Sequence, residues 1–113
     1  MADDCLFCRI IRREIPSPLV YETPDVVAFR DIDPKAPTHV LVVPRRHVAS
    51  LNEADDADLM GKLLLAAAAV AKQEGVSESG YRTVINTNKD SGQAVFHIHV
   101  HVLGGRHLKW PPG

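Results

Sequence analysis

A chain of 113 residues with 45% hydrophobic and 24% charged residues is long enough for one domain with one core, which we place at residues 1–113. Its formal net charge of -1, with acids and bases interspersed, argues against extended nucleic-acid binding. The longest apolar stretch, residues 63–71, is too short to cross a bilayer, so no membrane partner is expected. Residues 1–4 lack the pattern of a signal peptide, and we therefore expect a cytoplasmic protein.

The first half of the chain predicts a short helix followed by three strands. The helix spans about residues 5–12, with Asp3 or Asp4 as its cap. Its apolar face would consist of Leu6, Phe7, Ile10 and Ile11. Pro16 and Pro18 then impose an extended connection. Strands are expected at residues 19–22, 26–30 and 39–43, the last closed by Pro44.

The second half predicts a long helix and two more strands. Alanine, leucine and lysine dominate residues 55–73, acids come first and Gly75 follows, as is typical of one helix. Strands are expected at residues 81–87 and 95–103, separated by a polar turn at residues 88–92. The order of elements predicts an α+β domain with a five-stranded, mostly antiparallel sheet and two helices.

The most informative segment alternates three histidines, His97, His99 and His101, with apolar residues. On a strand the three imidazoles would share one face, about 6.6 Å apart. Histidine suits proton transfer, nucleophilic attack and metal ligation near neutral pH. The three could also be structural, or could hold a catalytic zinc ion of a metal-dependent hydrolase. Spacing alone does not separate nucleophilic from metal-dependent chemistry.

Two cysteines, Cys5 and Cys8, lie three residues apart near the start of the chain. In a chain that is not secreted, a disulfide between them is not expected. Such a pair indicates metal or redox chemistry. The alternative is two reduced thiols buried in the core.

The pattern His-apolar-His-apolar-His-apolar-apolar resembles the signature of the histidine triad (HIT) family. Further segments resemble that family's motifs, namely residues 31–34, 36–39 and 43–47, together with Asn86 and Gly92-Gln93. The ending, Gly104-Gly105-Arg106 with residues 110–113, is similar to the Hint branch, which hydrolyses adenosine and guanosine phosphoramidates. The resemblance implies the HIT-like fold and a hydrolase acting on P–N bonds of purine nucleotide derivatives.

The resemblance also implies roles in catalysis. His99 would attack phosphorus and form a covalent nucleotidyl-histidine intermediate, which water then cleaves. His101 would contact the same phosphate, and His39 would pass protons nearby. No metal is required for this chemistry in the family.

Nucleotide-binding positions follow from the same resemblance. Asp31 would accept hydrogen bonds from the ribose hydroxyls, although it could simply be a turn residue. The base pocket would be lined by Leu6, Phe7, Ile10, Phe29 and Ile32, which could equally be core residues. The loop with Gly92, Gln93 and Ala94 would approach the phosphate beside Asn86, His99 and His101. The Hint branch usually has serine at the position of Ala94. A nucleotide-binding regulatory module with weak turnover is therefore the alternative function.

A structural zinc ion and a homodimer complete the expectations from the family. Its bacterial members often hold zinc with ligands corresponding to Cys5, Cys8, His47 and His97. Where the second cysteine is missing, the two histidines have instead been viewed as part of a proton relay. Family members pair through the long helix and a strand into a continuous ten-stranded sheet. The alanine-rich run at residues 66–69 suits such packing, and it suits a monomer's core equally well.

Overall fold

The computed structural model of the chain describes residues 4–113. Two helices and five strands make up the fold. In chain order they are α1 (Leu6–Ile11), β1 (Leu19–Glu22), β2 (Val26–Arg30), β3 (Thr38–Pro44), α2 (Ala57–Gln73), β4 (Tyr81–Val84) and β5 (Val100–Gly104). Adjacent strands pair antiparallel in the order β1-β2-β3-β5-β4. The predicted α+β class with a five-stranded sheet and two helices is confirmed.

Apolar side chains cover both faces of the sheet, and β3 is buried along its whole length. Val40 and Val42 pack with α2 in the larger cluster, whereas Leu41 and Val43 pack with α1 in the smaller one. This is the alternation that a strand imposes. The helices thus lie on opposite faces, and α1 covers the face that carries the histidines.

Helix α2 begins and ends close to where the sequence predicts. The carboxylate of Asp56 caps it by accepting a hydrogen bond from the Leu59 amide at 3.1 Å. Gly75 follows the helix with φ of 78°. Of the helices in residues 4–113, none combines the length and apolar composition that a bilayer-spanning segment needs.

The cap of α1 differs from the prediction. Cys5 is the N-cap, and its Sγ accepts a hydrogen bond from the Cys8 amide at 3.2 Å. Asp4 is not the cap, and Asp3 lies outside the described residues. A thiol therefore takes the position that a carboxylate was expected to fill, and both cysteines are buried.

The prediction of one strand over residues 95–103 was wrong at its start, because regular pairing begins only at Val100. Continuing the register of β3 and β5 would place Pro44 opposite Ile98. Proline has no amide hydrogen to donate to an opposite strand. The Ile98 amide donates to the Val48 carbonyl at 2.7 Å, which lies outside the register of β3 and β5. His97 and His99 consequently lie on an irregular segment before the strand, and only His101 lies within it.

Strand β4 ends at Val84, three residues earlier than predicted. Its last partner in the ladder is His101, one residue inside the start of β5. The predicted polar turn that follows contains a short 3-10 helix, Lys89–Ser91. The late start of β5 accounts for most of the shortening of β4, because in this register residues 86 and 87 would lie opposite residues that precede the strand.

Candidate active site

A cavity of about 320 Å³ lies between α1 and the histidine-bearing face of the sheet. Its walls are mainly apolar, and its lining also includes the imidazoles of His99 and His101 and the carboxylate of Asp31. An apolar pocket with a few converging polar groups is the usual form of a small-molecule site. Ile32 is 94% exposed and marks the open side of the cavity.

The structure places most of the predicted nucleotide-binding residues at this cavity. The lining includes Leu6, Phe7, Ile10, Phe29, Asp31, Ile32, Ala94, His99 and His101. Sequence reasoning missed Ile15, Pro16 and Ser17, which form part of the wall. The one feature of the sequence that could have indicated them is Pro16, because the extended connection that it imposes keeps this segment beside α1.

His99 is held in one defined orientation. Its Nδ1–H donates to the main-chain carbonyl of His97 at 2.8 Å, so its Nε2 carries the lone pair in the neutral ring. Burial lowers the pKa of His99 below the usual value and keeps the ring neutral at pH 7. An unprotonated imidazole nitrogen at a cavity wall is a nucleophile or a base.

His101 and His39 form a hydrogen-bonded pair beside His99. The Lys35 amide donates to His39 Nδ1 at 3.0 Å, so His39 Nε2 carries the hydrogen and donates to His101 Nδ1 at 2.8 Å. His101 is left with a proton on Nε2. Burial lowers the pKa of both rings, that of His101 to about 4. The pair can therefore hold or move a proton next to His99, which is 5.0 Å from His101 between ring centroids.

Asp31 connects this pair to the cavity. One carboxylate oxygen accepts from the Asp33 amide at 2.8 Å, and the other lies 3.4 Å from His39 Nε2. The side chain is largely buried but lines the cavity. Both the turn interpretation and a ligand-binding interpretation of Asp31 are consistent with this geometry.

The loop before the histidines differs in part from the prediction. The Gln93 side chain is buried: it donates to the Ala49 and Val95 carbonyls at 2.9 and 3.2 Å and accepts from the Asn88 amide at 2.7 Å. The Gln93 side chain therefore holds the loop together, and its amide donors are engaged within the chain. Of the predicted residues in this loop, Ala94 lines the cavity. Asn86, Gly92 and Gln93 are not among the described residues that line it.

A second cluster brings together Cys5, Cys8, His47 and His97. Each offers one ligand atom, and these atoms all lie within 4.8 Å of one another. His97 Nδ1 lies 3.3 Å from Cys5 Sγ, 3.4 Å from Cys8 Sγ and 3.2 Å from His47 Nδ1. Ligand atoms of a tetrahedral zinc ion are about 3.3–3.8 Å apart, given the usual bond lengths. The spacing of the cluster therefore fits a four-coordinate metal ion.

Protonation in this cluster also fits a metal. His97 Nε2–H donates to the Pro44 carbonyl at 2.8 Å, so its lone pair on Nδ1 faces the thiols. Burial lowers the pKa of His97 to about 4, and burial together with the hydrogen bond to Cys5 raises the pKa of Cys8 to about 11. The ring is thus ready to ligate, whereas the Cys8 thiol must release its proton to solvent when a metal binds.

The three histidines of the signature do not converge on one point. Among residues 4–113, potential ligands converge in the cluster above and at Asp31, His39 and His101, and neither group contains all three signature histidines. At the second group His39 Nε2 carries a hydrogen, which would have to leave before a metal could bind. A metal-dependent hydrolase using His97, His99 and His101 together does not agree with this geometry.

Known proteins resemble the chain along nearly its whole length. The HIT domain family model matches residues 12–108. The purine nucleoside phosphoramidase of Escherichia coli K12 is 49% identical over 110 residues, covering 96% of this chain and 92% of that protein. An uncharacterized HIT-like protein of Synechococcus elongatus is 54% identical over 115 residues, covering 100% of each.

Solved structures show the same likeness. A HIT family hydrolase from Legionella pneumophila has a TM-score of 0.95 at 49% identity, covering 97% of this chain and 100% of that one. A histidine triad protein from Clostridium difficile has a TM-score of 0.90 at 42% identity, covering 94% of each chain. Both the sequence matches and the arrangement of the signature histidines lead to the same conclusion: the chain belongs to the HIT domain family.

Proposed function

We propose that the chain is a hydrolase of purine nucleoside phosphoramidates or related adenylated substrates, with His99 as the nucleophile. The observation that carries this proposal is the 2.8 Å hydrogen bond from His99 Nδ1–H to the His97 carbonyl. It leaves an unprotonated Nε2 on a buried ring that lines the cavity. The 49% identity to a protein named purine nucleoside phosphoramidase supports the substrate class.

In the first step of the proposed reaction, the Nε2 lone pair of His99 forms a bond to the α-phosphorus as the P–N bond to the amine breaks. The departing amine takes up one proton. The His39–His101 pair, when it carries one extra proton, is placed to supply it, and Asp31 lies 3.4 Å from His39 to offset the positive charge. Because burial lowers the pKa of both rings, the protonated pair gives up its proton more readily than an ordinary imidazolium does.

In the second step, water attacks the same phosphorus and the bond from phosphorus to His99 Nε2 breaks. The proton that water loses returns to the His39–His101 pair, and the nucleotide leaves with the water oxygen. His99 regains its starting form because Nδ1–H stays bonded to the His97 carbonyl throughout. Two easier steps thus replace one difficult displacement.

The rest of the cavity suits the nucleoside. The apolar side chains of Phe7, Ile10 and Phe29 offer surfaces for a flat base. Asp31 lies on the same cavity, where its carboxylate can accept from two ribose hydroxyls. We infer that Asp31 selects ribonucleotides.

A second candidate function is a nucleotide-binding module with weak turnover. Ala94 lines the cavity without a hydroxyl group, where the Hint branch usually has serine. Turnover of adenosine 5′-phosphoramidate, measured together with AMP binding, separates the two functions. The enzyme proposal predicts multiple turnovers at a rate far above the uncatalysed one. Tight AMP binding with no turnover would favour the binding module.

We propose that Cys5, Cys8, His47 and His97 hold one zinc ion. The observation that supports it is the convergence of two thiols and two imidazole nitrogens within 4.8 Å. A closed ligand set of this kind supplies structural stability rather than an open coordination position. Metal analysis of protein purified without chelator should find about one zinc per chain, and protein without zinc would contradict the proposal.

We also propose a homodimer with a continuous ten-stranded sheet. β4 is an edge strand, and α2 exposes Leu64 and Leu65, the latter at 73%. Ala66 and Ala67 of the alanine-rich run pack against the chain's own sheet and are not available to a partner. Light scattering should give twice the chain mass, and a stable monomer at micromolar concentration would refute the dimer.

A further inference from the structure

His97 belongs to two sites at once. Its side chain reaches into the thiol–imidazole cluster formed with Cys5, Cys8 and His47, whereas its main-chain carbonyl accepts the hydrogen bond from His99 Nδ1 at 2.8 Å. The same residue is completely buried. Any constraint on the His97 side chain therefore acts on the group that orients the reacting ring.

A second connection runs through α1. Phe7 lies between the two cysteines in sequence, and its ring meets the His99 ring edge-on, with centroids 5.0 Å apart and planes at 88°. It also contacts the rings of His97 at 6.0 Å and Phe29 at 5.2 Å. The cysteines that tie α1 to His97 thus also place the aromatic ring that packs against His99.

Besides the thiol–imidazole cluster, apolar packing holds α1 on the sheet, since its side chains join those of β2 and β3 in the smaller apolar cluster. The helix has only six residues, which is too short to be stable by itself in water. Outside the thiol–imidazole cluster, its buried side chains are Phe7 and Ile10. Occupancy of the thiol–imidazole cluster should therefore add to how firmly α1 and the His97 backbone are held, beside the hydrogen bond from His97 Nε2–H to the Pro44 carbonyl.

We propose that the thiol–imidazole cluster is a positioning device for the proposed nucleophile. A metal ion bound there fixes His97 and α1, and through the His97 carbonyl and the Phe7 ring it fixes the His99 imidazole with Nε2 free. His47, His97, Cys5 and Cys8 act through His99 and are positioning residues. The inference deepens the proposed function and rests on it, but its structural part can be measured without substrate.

The test compares two variants of the full chain that each remove one exposed histidine. His47→Ala removes a ligand atom that lies 3.4 Å from Cys8 Sγ, while it leaves His97 and His99 in place. His107→Ala is the matched control, because His107 is exposed and lies outside both histidine clusters. Nitrogen NMR of ¹⁵N-histidine protein, with zinc added, reports which ring nitrogen of His99 carries the hydrogen.

We expect the zinc-loaded parent and His107→Ala to show His99 protonated at Nδ1 alone. His47→Ala should lose zinc and show averaged signals from the two nitrogens of His99. Its single-turnover rate of nucleotidylation should fall by about tenfold to a hundredfold, as is usual when partners of a functional group are removed. Its Kd for AMP should rise less than the rate falls, because α1 supplies only part of the cavity walls and the strands supply much of the rest.

A conservative variant keeps the test decisive even if His47→Ala does not fold. His47→Cys restores a ligand at an exposed position, and circular dichroism checks its folding. With zinc it should recover the His99 signals and the rate of the parent, and without zinc it should lose both. Identical His99 signals with and without zinc would overturn the positioning inference.

The two proposals fail in different ways. Zinc-dependent His99 signals in a parent that does not cleave adenosine phosphoramidate would support the positioning inference and contradict the proposed function. Full turnover, together with His99 signals that are the same with and without zinc, would support the proposed function and contradict the positioning inference. A parent protein that binds no zinc would overturn the zinc proposal and the positioning inference, and it would leave the proposed hydrolase activity standing.

Discussion

Two groups of histidines lie side by side in this fold, and they differ in what their ring nitrogens face. In the thiol–imidazole cluster, His97 gives its Nε2–H to the Pro44 carbonyl and turns Nδ1 toward Cys5 and Cys8. In the cavity, His99 gives its Nδ1–H to the His97 carbonyl and keeps Nε2 free. Two positions along the chain are enough to change a potential metal ligand into a potential nucleophile.

Main-chain carbonyls produce this difference. Burial lowers the pKa of His97, His99 and His101, so all three rings are neutral at pH 7. A neutral imidazole has one donor and one acceptor, and whichever nitrogen meets a carbonyl must be the donor. The role of each histidine is therefore decided by its hydrogen-bond partner rather than by its residue type or spacing.

Of the variants that test the difference between the two histidine groups, His99→Gly is expected to have the largest effect on activity. Removing the proposed nucleophile should lower kcat for adenosine phosphoramidate by at least about 10³-fold, because no neighbouring group can replace an in-line nucleophile. Added imidazole should restore part of the rate by filling the space that the side chain leaves. Steady-state kinetics measures both effects.

His107→Ala serves as the control for that variant, since it removes an exposed histidine away from the cavity. It should keep the parent's kcat. If His99→Gly retained a rate within about tenfold of the parent, phosphorus would be attacked by another group and the assignment of the two histidine groups would fail.

Loss of the metal should affect stability next. Cys5→Ser replaces a thiolate ligand and should lower the free energy of unfolding by about 3 kcal/mol when free zinc is about 100-fold above its Kd. Urea unfolding with and without added zinc measures this difference. Zinc-independent stability of the parent, equal to that of Cys5→Ser, would show that the cysteines are only core thiols.

Asp31→Asn should have a smaller effect, and the part that tests its ribose role is sugar selection, since the charge that offsets the protonated His39–His101 pair is lost for both sugars alike. The amide keeps an acceptor for the Asp33 amide, but it loses the charge that would bind two ribose hydroxyls. The ratio of kcat/KM for ribonucleotide over deoxyribonucleotide substrates should fall about tenfold. A parent that treats both sugars alike would remove the ribose role of Asp31.

A separate effect is expected in the pH dependence of stability. The pKa of His101 is about 4 in the folded chain and about 6.5 in an unfolded one. Between these values the unfolded chain binds more protons, so stability falls as pH is lowered from about 6.5 to 4. The cause is burial, and the charged or titratable groups that face His101 are His99, His39 and Asp31.

His101→Asn should therefore lose less stability than the parent across that window. Both proteins keep the thiol–imidazole cluster, so loss of a metal ion in acid affects them alike. Urea unfolding at several pH values measures the two slopes. Equal slopes would show that His101 is as readily protonated in the folded chain as in the unfolded one.

The sequence predicts the fold better than it predicts the hydrogen bonds of the site. Apolar periodicity, the prolines and Gly75 are local signals, and they locate α2 and the first three strands to within about two residues. The start of β5 at Val100 could not be read this way, because it depends on Pro44 and Val48, some fifty residues away. Pairing between distant strands is a tertiary property.

The candidate site shows the same limit at the level of single side chains. The Cys-x-x-Cys pair and the histidine alternation identify which residues come together. They do not reveal that Gln93 bonds to Ala49 or that Cys5 caps α1. Such contacts depend on which carbonyl or amide a fold brings close, and residue spacing carries no information about that.

The most direct test of the proposed account is to trap the covalent intermediate. Protein mixed with adenosine phosphoramidate and quenched without acid during turnover should carry one nucleotidyl group on His99, detected by mass spectrometry of its peptides. The adduct should be absent from His99→Gly and present in zinc-loaded His107→Ala. A folded, active parent with no adduct on His99, whose activity disappears on chelation while circular dichroism is unchanged, would contradict histidine attack and favour a metal-activated water.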